Sequence, residues 1–266
     1  MLTPCLLFQK ESECTLTVRG GTMIGMAPTT DAMNQVLLPH LRKMGVEIDM
    51  SIVSHGYFPD LIGEAKLTVK SISSSLKPFY MTSRGGELKS VDVYVNYTRP
   101  GPAEDFYLSS MLPKLKDDYL KPFNPMFHEE PSKVPIKCKG HTIAISCVLR
   151  YANDTMLHTS ILVEVGKAFN TQTDYARQLT DQVIELDKLS EVCVDENFCD
   201  QVLIYAVMAK GTSKFSTTKD LTLHTTTMLD LLPMLCDAKI TTKRGEGGES
   251  SGCTLIEIEG LDRFSN

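Results

Sequence analysis

The chain contains no tryptophan and no excess of positive charge. Aromatic residues make up 7% of the 266 residues, which argues against an extended platform for stacking nucleic-acid bases. The formal net charge is -6, which argues against non-specific coating of nucleic acid, because such coating needs a basic surface. These two absences still allow a nucleic-acid site of another kind, a local basic cleft.

Cysteine motifs and long apolar runs are also missing. The eight cysteines form no CxxC pair and no regular framework, so we expect neither a disulfide scaffold nor a zinc site, but buried thiols in a reducing compartment. No apolar stretch is long enough to cross a bilayer, and the N-terminus has no signal-peptide pattern. We therefore expect a nuclear (nucleoplasmic) or cytoplasmic protein, not secreted and without a membrane partner.

Helical and strand patterns alternate along a chain of ordinary globular composition, 42% hydrophobic and 23% charged. Periodicity predicts helices over 32–44, 103–120, 173–189 and 196–208, with Asp31 and Gly45 capping the first. It predicts strands over 4–8, 15–19, 46–53, 64–72, 87–97, 142–150 and 156–165, and a proline-rich loop over 121–134. This mixture predicts an α+β fold.

An internal repeat is the most informative structural pattern. The order strand, polar turn, helix, strand, loop, strand over 15–72 recurs over 221–259, where residues 221–223 are the expected strand and the expected helix runs to Cys236. Such units predict helices stacked on one side of mixed sheets. When the two copies are aligned, His224 of the second copy corresponds roughly to Gly20-Gly21 of the first. We divide the chain into 1–86 and 166–266, two parts of a repeated core, and 87–165, a small α/β insert.

His224 is the first candidate site residue, because it lies at the expected entrance of a helix among threonines. Threonines there cap free N–H groups, and a helix entrance attracts phosphate. A histidine at such a boundary is more often a surface or capping residue, so both interpretations stay open. Asp200-Gln201 next to an apolar helix is either a buried site carboxylate with its neighbour or an ordinary acidic helix start.

Two glycine-containing segments are weaker candidates. Gly20-Gly21-Thr22 allows close backbone approach to a phosphate or ribose, but a structural turn is the better interpretation of so short a motif. The segment 245–252 superficially resembles a phosphate loop, but it lacks the Gly-Lys-Ser/Thr ending, so a hairpin loop is the better interpretation.

Four motifs together resemble the RNA 3'-terminal phosphate cyclase family, over residues from about 1 to 260 and most weakly between 86 and 191. They are Arg19-Gly20-Gly21-Thr22 followed by Met26-Ala27-Pro28 and Asp31, then His55-Gly56-Tyr57-Phe58-Pro59, then Asp200-Gln201 followed by 206–211, then Leu223-His224-Thr225-Thr226-Thr227. The resemblance implies three repeated helix-and-sheet units with a small inserted α/β domain. That expectation agrees with the repeat and the insert.

The family converts an RNA 3'-phosphate to a 2',3'-cyclic phosphate with ATP and a divalent metal, Mg or Mn. By resemblance, His224 is the nucleophile that carries AMP, Asp200 is the essential aspartate, Gln201 lies in the nucleotide pocket and Pro28 packs near the adenine. We expect Gly20, Gly21 and Thr22 to contact the nucleotide as well, and an RNA 3' end to be the partner. Imidazole chemistry fits, because a neutral histidine is nucleophilic near pH 7.

The chain also departs from the family pattern. It lacks the family's glycine-rich opening and first repeat, and Asp60-Leu61-Ile62-Gly63 replaces Lys-Gly-Gly-Gly. Asn197 stands where a tyrosine is expected, and the Gly-x-x-Gly turn is not intact around 166–171. These departures keep an alternative open, a catalytically impaired cyclase-like protein that acts in ribosome assembly and pre-rRNA processing. His224 favours the cyclase proper, because the ribosome-assembly branch lacks that histidine.

Overall fold

The computed structural model describes residues 3–25, 27–58, 60, 62–98, 100–128, 136–137, 140–166, 170, 173–245 and 252–262. The helices are α1 (Thr3–Leu6), α2 (Thr30–Ala32, Met33–Leu37 and Leu38–Lys43 in succession), α3 (Pro102–Phe106, Tyr107–Met111 and Lys114–Tyr119), α4 (Tyr175–Lys188), α5 (Cys199–Met208) and α6 (Leu223–Cys236). The strands are β1 (Glu13–Gly20), β2 (Ile48–Gly56), β3 (Gly63–Lys70), β4 (Tyr80–Met81), β5 (Leu88–Tyr97), β6 (Pro125–His128), β7 (Ile136–Lys137), β8 (Thr142–Tyr151), β9 (Met156–Glu164), β10 (Thr212–Thr218), β11 (Lys239–Arg244) and β12 (Cys253–Glu259).

Two of the three sheets are built in the same way. In the first, β3 lies between β1 and β2 and pairs antiparallel with both, and β7 adds to β2 in parallel. In the second, β12 lies between β10 and β11 in the same manner, and β4 adds to β10 in parallel. Along the chain, one helix connects the first two strands of each copy, α2 in the first copy and α6 in the second. The predicted repeat and the α+β class are therefore confirmed.

The third sheet forms a smaller unit with the strand order β6-β5-β8-β9. β5 pairs in parallel with β6 and antiparallel with β8, which pairs antiparallel with β9. Its apolar cluster joins strand residues such as Val93 and Leu149 to Tyr107 of α3 and Leu179 of α4. The packing of this unit thus includes α4, which begins after residue 165.

The main core lies between the two repeats. Val36 and Leu41 of α2, Leu203 of α5, Phe215 of β10 and Ile256 of β12 are all buried in one apolar cluster. Burial of each such side chain contributes about 1.5–3 kcal/mol to folding. Because α2 and α5 meet in this core, their packing holds the starts of both helices in fixed positions.

Three predicted elements are wrong. Residues 4–8 are not a strand, because Thr3–Leu6 forms the short helix α1. Residues 221–223 are not a strand either, since β10 ends at Thr218 and Leu223 is already helical. The expected loop over 121–134 contains a 3-10 turn at Lys121–Phe123 and the strand β6, which long-range pairing with β5 creates.

The capping residues of the two repeats correct a further prediction. Thr29, not Asp31, is the N-cap of α2, and its side chain accepts a hydrogen bond from the Ala32 N–H. Thr222 caps α6 in the same way, with the Thr225 N–H as donor. Counting from these two caps matches His224 with Asp31. The expected match with Gly20-Gly21 is wrong, because those glycines lie where β1 ends.

The remaining expectations concern membrane segments and thiols. No helix in the described residues is long and apolar enough to span a membrane. The seven described cysteines are free thiols. Cys5 is exposed, and Cys14 and Cys236 are half-buried, so the expectation of buried thiols is wrong for these three. They lie in the short helix α1, in β1 and at the end of α6, outside the packed interior.

Candidate functional site

A cleft of about 840 Å³ lies where the two repeats and the smaller unit meet. One side is the segment before α2, another is β9 with α4, and the third is formed by the starts of α5 and α6. The lining residues are Ala27, Pro28, His158, Thr159, Ser160, Gln182, Glu185, Leu186, Leu189, Asp195, Glu196, Asn197, Asp200, Gln201, Thr218, Thr222 and His224. The cleft therefore contains His224, Asp200, Gln201 and Pro28, four of the predicted site residues.

His224 is the second residue of α6, and its side chain is exposed. The helix starts here because Thr222 adopts an extended conformation and its Oγ1 accepts the Thr225 N–H at 3.2 Å. Thr226 Oγ1 donates to Leu223 O at 3.0 Å, which fastens the same turn. A helix start leaves its first N–H groups without intrahelical partners and carries partial positive charge. The imidazole is thus presented at an end suited to bind phosphate.

Asp200 and Gln201 lie in the first turn of α5. Burial raises the pKa of the half-buried Asp200 carboxyl above its ordinary value, while the backbone N–H of Gln201 and the charge of His224 act in the opposite direction. The side-chain amide of Gln201 donates to Asn197 O at 3.4 Å. Two helix starts therefore line one cleft, with a carboxylate and an imidazole that interact electrostatically.

The segment before α2 places Pro28. The next residue, Thr29, is 5% exposed, and its hydroxyl lies 2.7 Å from Ser146 Oγ of β8. That buried contact joins the segment to the smaller unit, and it fixes the proline at the edge of the cleft. A proline ring offers a rigid apolar surface there.

Arg84 fixes the opposite wall, a role that no sequence pattern predicted. Its buried guanidinium donates to Leu186 O at the end of α4, to Val192 O in the segment leading to α5, and to Tyr151 Oη of β8. Hydrogen bonds from a charged group are each worth about 1.5–3 kcal/mol. Arg84 thus ties the smaller unit to the start of the second repeat.

The charge of the cleft is one-sided. Among the described residues that line it, four are carboxylates, Glu185, Asp195, Glu196 and Asp200, and none is lysine or arginine. No group of three or more His, Cys, Asp or Glu side chains in the described part of the chain is arranged to hold a metal ion. A polyphosphate placed here would need a counter-charge beyond the two helix starts.

Gly20, Gly21 and Thr22 do not line this cleft. Thr22 Oγ1 accepts the Gly56 N–H at 2.9 Å and lies 3.3 Å from His55 Nδ1. A Cβ atom on Gly56 would lie 2.8 Å from Gly20 O, so the ends of β1, β2 and β3 cross at backbone contact. The turn therefore has a structural role in this structure, and its placement gives no support to a nucleotide contact.

Residues 246–251 of the other glycine-rich segment lie outside the described residues, as do 167–169 and 171 of the expected Gly-x-x-Gly turn.

Sequence reasoning missed two buried groups in the cleft wall, His158 and Asp195. Burial raises the pKa of the Asp195 carboxyl to about 7 and lowers the pKa of His158 to about 4. His158 gave no distinct signal, because it shares its face of β9 with the polar Ser160 and was interpreted as part of an ordinary strand. Asp195 gave no signal, because its contact with His158 joins segments 37 positions apart.

An apolar cavity of about 680 Å³ adjoins the cleft and shares Asp200, Gln201 and His224 with it. Leu37 and Leu41 of α2, Ile204 of α5, and Met228 and Leu231 of α6 are among its lining residues. His224 therefore lies between a polar cleft and an apolar cavity.

Comparisons with known proteins agree with the motifs. The family described as RNA 3'-terminal phosphate cyclase matches residues 1–242. A protein of Dictyostelium discoideum named probable RNA 3'-terminal phosphate cyclase is 25% identical over 98% of this chain and 59% of its own length. Proteins named RNA 3'-terminal phosphate cyclase from Drosophila melanogaster and Caldivirga maquilingensis are 26% and 28% identical, over 98% and 91% of this chain and 69% and 66% of their own lengths. The chain thus spans about three fifths to two thirds of these relatives, and it belongs to the RNA 3'-terminal phosphate cyclase family.

Proposed function

We propose that the protein converts an RNA 3'-terminal phosphate to a 2',3'-cyclic phosphate with ATP, through an AMP group carried on His224. The observation that carries the proposal is the meeting of two helix starts in one cleft, with His224 on α6 and Asp200 on α5. Family membership supports the reaction class. Gln201 and Pro28 line the same cleft, as expected for parts of a nucleotide site.

In the first step, a nitrogen of the neutral His224 imidazole attacks the α-phosphorus of ATP. The N–P bond forms, the bond from the α-phosphorus to the bridging oxygen breaks, and pyrophosphate leaves. The N–H groups at the start of α6 are suited to stabilise the phosphate charge that develops. The carboxylate of Asp200 stabilises the positive charge that the imidazole acquires, since the two groups interact electrostatically.

In the second step, an oxygen of the RNA 3'-phosphate attacks the same phosphorus and displaces the imidazole, which gives an RNA–AMP anhydride. The neighbouring 2'-hydroxyl then attacks the RNA 3'-phosphorus and loses its proton to solvent, the bond from this phosphorus to the bridging oxygen breaks, and AMP leaves, so the cyclic phosphate forms. Holding the two phosphates in one cleft makes these transfers effectively intramolecular. Asp200 and Glu196 are the carboxylates beside the helix starts that would hold a Mg or Mn ion, and such an ion would supply charge neutralisation.

The direct test is adduct formation with ATP labelled at the α-phosphate, in the presence of Mg or Mn. We expect an acid-labile label on the wild-type protein and none on His224→Ala. The matched control is His128→Ala, which removes a half-exposed histidine outside the cleft, and it should retain the label. An unlabelled wild type, or a labelled His224→Ala, would contradict the proposal. Incubation with an oligoribonucleotide 3'-phosphate should then give a phosphatase-resistant end.

A different observation supports a second candidate function. Leu223, Met234 and Leu235 of α6 are 77–81% exposed, so one side of this helix is apolar and uncovered in the chain. Large exposed apolar surfaces often mark protein interfaces. This favours assembly with other molecules, such as a cyclase-like role in ribosome assembly and pre-rRNA processing. Co-purification with pre-ribosomal particles, together with an absent His224 adduct, would support that role over the first.

A further inference from the structure

His158 is a buried polar side chain of the cleft that the proposed reaction does not use. It lies on β9, it is 4% exposed, and it lines the cleft. Neither of its ring nitrogens has a hydrogen-bond partner among the residues that the structure describes. A buried polar group without a partner costs about 1–3 kcal/mol, so each such group in a folded protein requires an explanation.

The surroundings of His158 fix its backbone but not its ring. Its backbone N–H donates to Asp195 Oδ2 at 2.9 Å, and Asp195 Oδ1 accepts the Asn197 N–H at 3.0 Å. The imidazole lies against the Phe198 ring, with the ring centroids 6.3 Å apart. No hydrogen bond to the described residues opposes a turn of the imidazole toward the cleft. The residue is therefore anchored at its main chain and free to offer its ring edge to a ligand.

The wall around His158 has no lysine or arginine among the described residues that line the cleft, and it combines the carboxyl of Asp195 with neutral hydrogen-bonding groups. Thr159, Ser160 and Gln182 line the cleft beside it, and Thr159 Oγ1 donates to Gln182 Oε1 at 2.9 Å. A neutral imidazole offers one N–H donor and one nitrogen acceptor. Phosphate groups prefer charged donors and helix starts, whereas nucleobase edges present neutral donors and acceptors. The chemistry of this wall therefore matches a base.

We propose that His158 turns into the cleft and hydrogen-bonds the edge of a nucleobase, so that it helps determine which ligand binds. The inference rests on the proposed function, since it assumes that the cleft holds a nucleotide. The base belongs either to ATP or to the terminal nucleotide of the RNA. Both sources present neutral donors and acceptors on a base edge, and binding measurements separate them.

The test compares each ligand with its counterpart that lacks a base. Equilibrium dissociation constants are measured for ATP against ribose 5'-triphosphate, and for an oligoribonucleotide 3'-phosphate against the same oligonucleotide with an abasic last residue. His158→Phe keeps a ring but removes both nitrogens. We expect it to reduce the preference for the base about five- to tenfold in one arm, which identifies the source of the base, and to leave binding of the base-free ligand unchanged.

Two further variants exclude a merely structural effect. His158→Gln keeps a donor and an acceptor, so it should restore much of the preference, and His128→Phe should leave both ratios at their wild-type values. Unchanged ratios in both arms for His158→Phe would overturn the inference, while the His224 adduct would still support the reaction. Conversely, the wild type could prefer ligands with a base in a way that depends on His158, and yet form no adduct. This result would support the inference and contradict the proposed reaction. If no ligand binds to the wild type, both fail.

Discussion

The two repeats begin their helices in the same way, but their surroundings differ. Thr29 caps α2 with φ and ψ of -68° and 160°, and Thr222 caps α6 with -64° and 159°. The smaller unit closes the start of α2, because Ser146 contacts Thr29 and Asn96 donates to Asp31 Oδ2 at 2.9 Å. The start of α6 opens into the cleft and presents His224. The same helix start thus serves as a joint in one repeat and as a candidate reactive end in the other.

The bodies of the two helices differ in the same sense. α2 buries Val36, Leu38 and Leu41 in the main core. α6 buries only Thr225 and Leu232, and its Met234 and Leu235 are largely exposed. The comparison teaches that the repeat specifies the shape of the unit, while the neighbours of each helix decide whether it stabilises the fold or presents a surface. Three measurements test this difference.

The largest expected effect comes from truncating one apolar side chain on each helix. Leu41 of α2 is 1% exposed and Met234 of α6 is 79% exposed. Leu41→Ala should lower the free energy of unfolding by about 3 kcal/mol, because it leaves a cavity in the core. Met234→Ala should change it by less than about 0.5 kcal/mol. Urea unfolding of both variants measures the difference, and equal losses would show that α6 is covered in the folded protein.

The next effect concerns His40, a buried histidine of α2 that packs edge-on against Phe79. Burial, with a smaller contribution from Lys43, lowers the pKa of His40 from 6.5 to about 4. The unfolded chain therefore binds a proton below about pH 6.5 that the folded protein does not take up until about pH 4, so stability falls as the pH drops through this window. At pH 5 the loss attributable to His40 is about 2 kcal/mol.

Replacing His40 with leucine removes this titration. We expect His40→Leu to lose about 2 kcal/mol less than the wild type when urea unfolding at pH 7 is compared with pH 5. Asp31, whose pKa burial raises to about 6, acts in the opposite direction but is present in both proteins, so it cancels. Leu41→Ala is the control, because it should lower both curves equally. If His40→Leu and the wild type showed the same pH dependence of stability, His40 would have the same pKa in the folded and the unfolded protein.

Sequence patterns predicted the parts of this comparison that are local. The helix over 32–44, the three strands of the first repeat and the last two strands of the second repeat were predicted, because alternating or helical apolar spacing reports which face is buried. The start of α6 was placed wrongly, since the β-prone residues 221–223 give no sign that Thr222 turns the chain into a helix. Short pairings such as Tyr80–Met81 with β10 were missed as well, because their partner lies far along the chain.

The candidate site was predicted where a motif names its residues and missed where packing creates the group. His224, Asp200, Gln201 and Pro28 meet in one cleft although they come from three separate segments. His158 was missed because its burial depends on the contact between β9 and the segment before α5, which no local pattern encodes. The match of His224 with Gly20-Gly21 was wrong for a similar reason, since the caps that align His224 with Asp31 are visible only in the folded chain.

The smallest expected effect compares the two capping threonines. An N-cap threonine replaced by alanine costs about 1 kcal/mol, so Thr222→Ala should lose about that much stability. Thr29→Ala should lose about 1 kcal/mol more, because it also leaves the buried hydroxyl of Ser146 without this partner. Urea unfolding of both alanine variants, with Thr29→Ser and Thr222→Ser as controls that retain the cap, measures the difference. Equal losses would mean that the joint at α2 adds nothing beyond the cap, and the contrast between the two helix starts would then lie in the exposure of His224 alone.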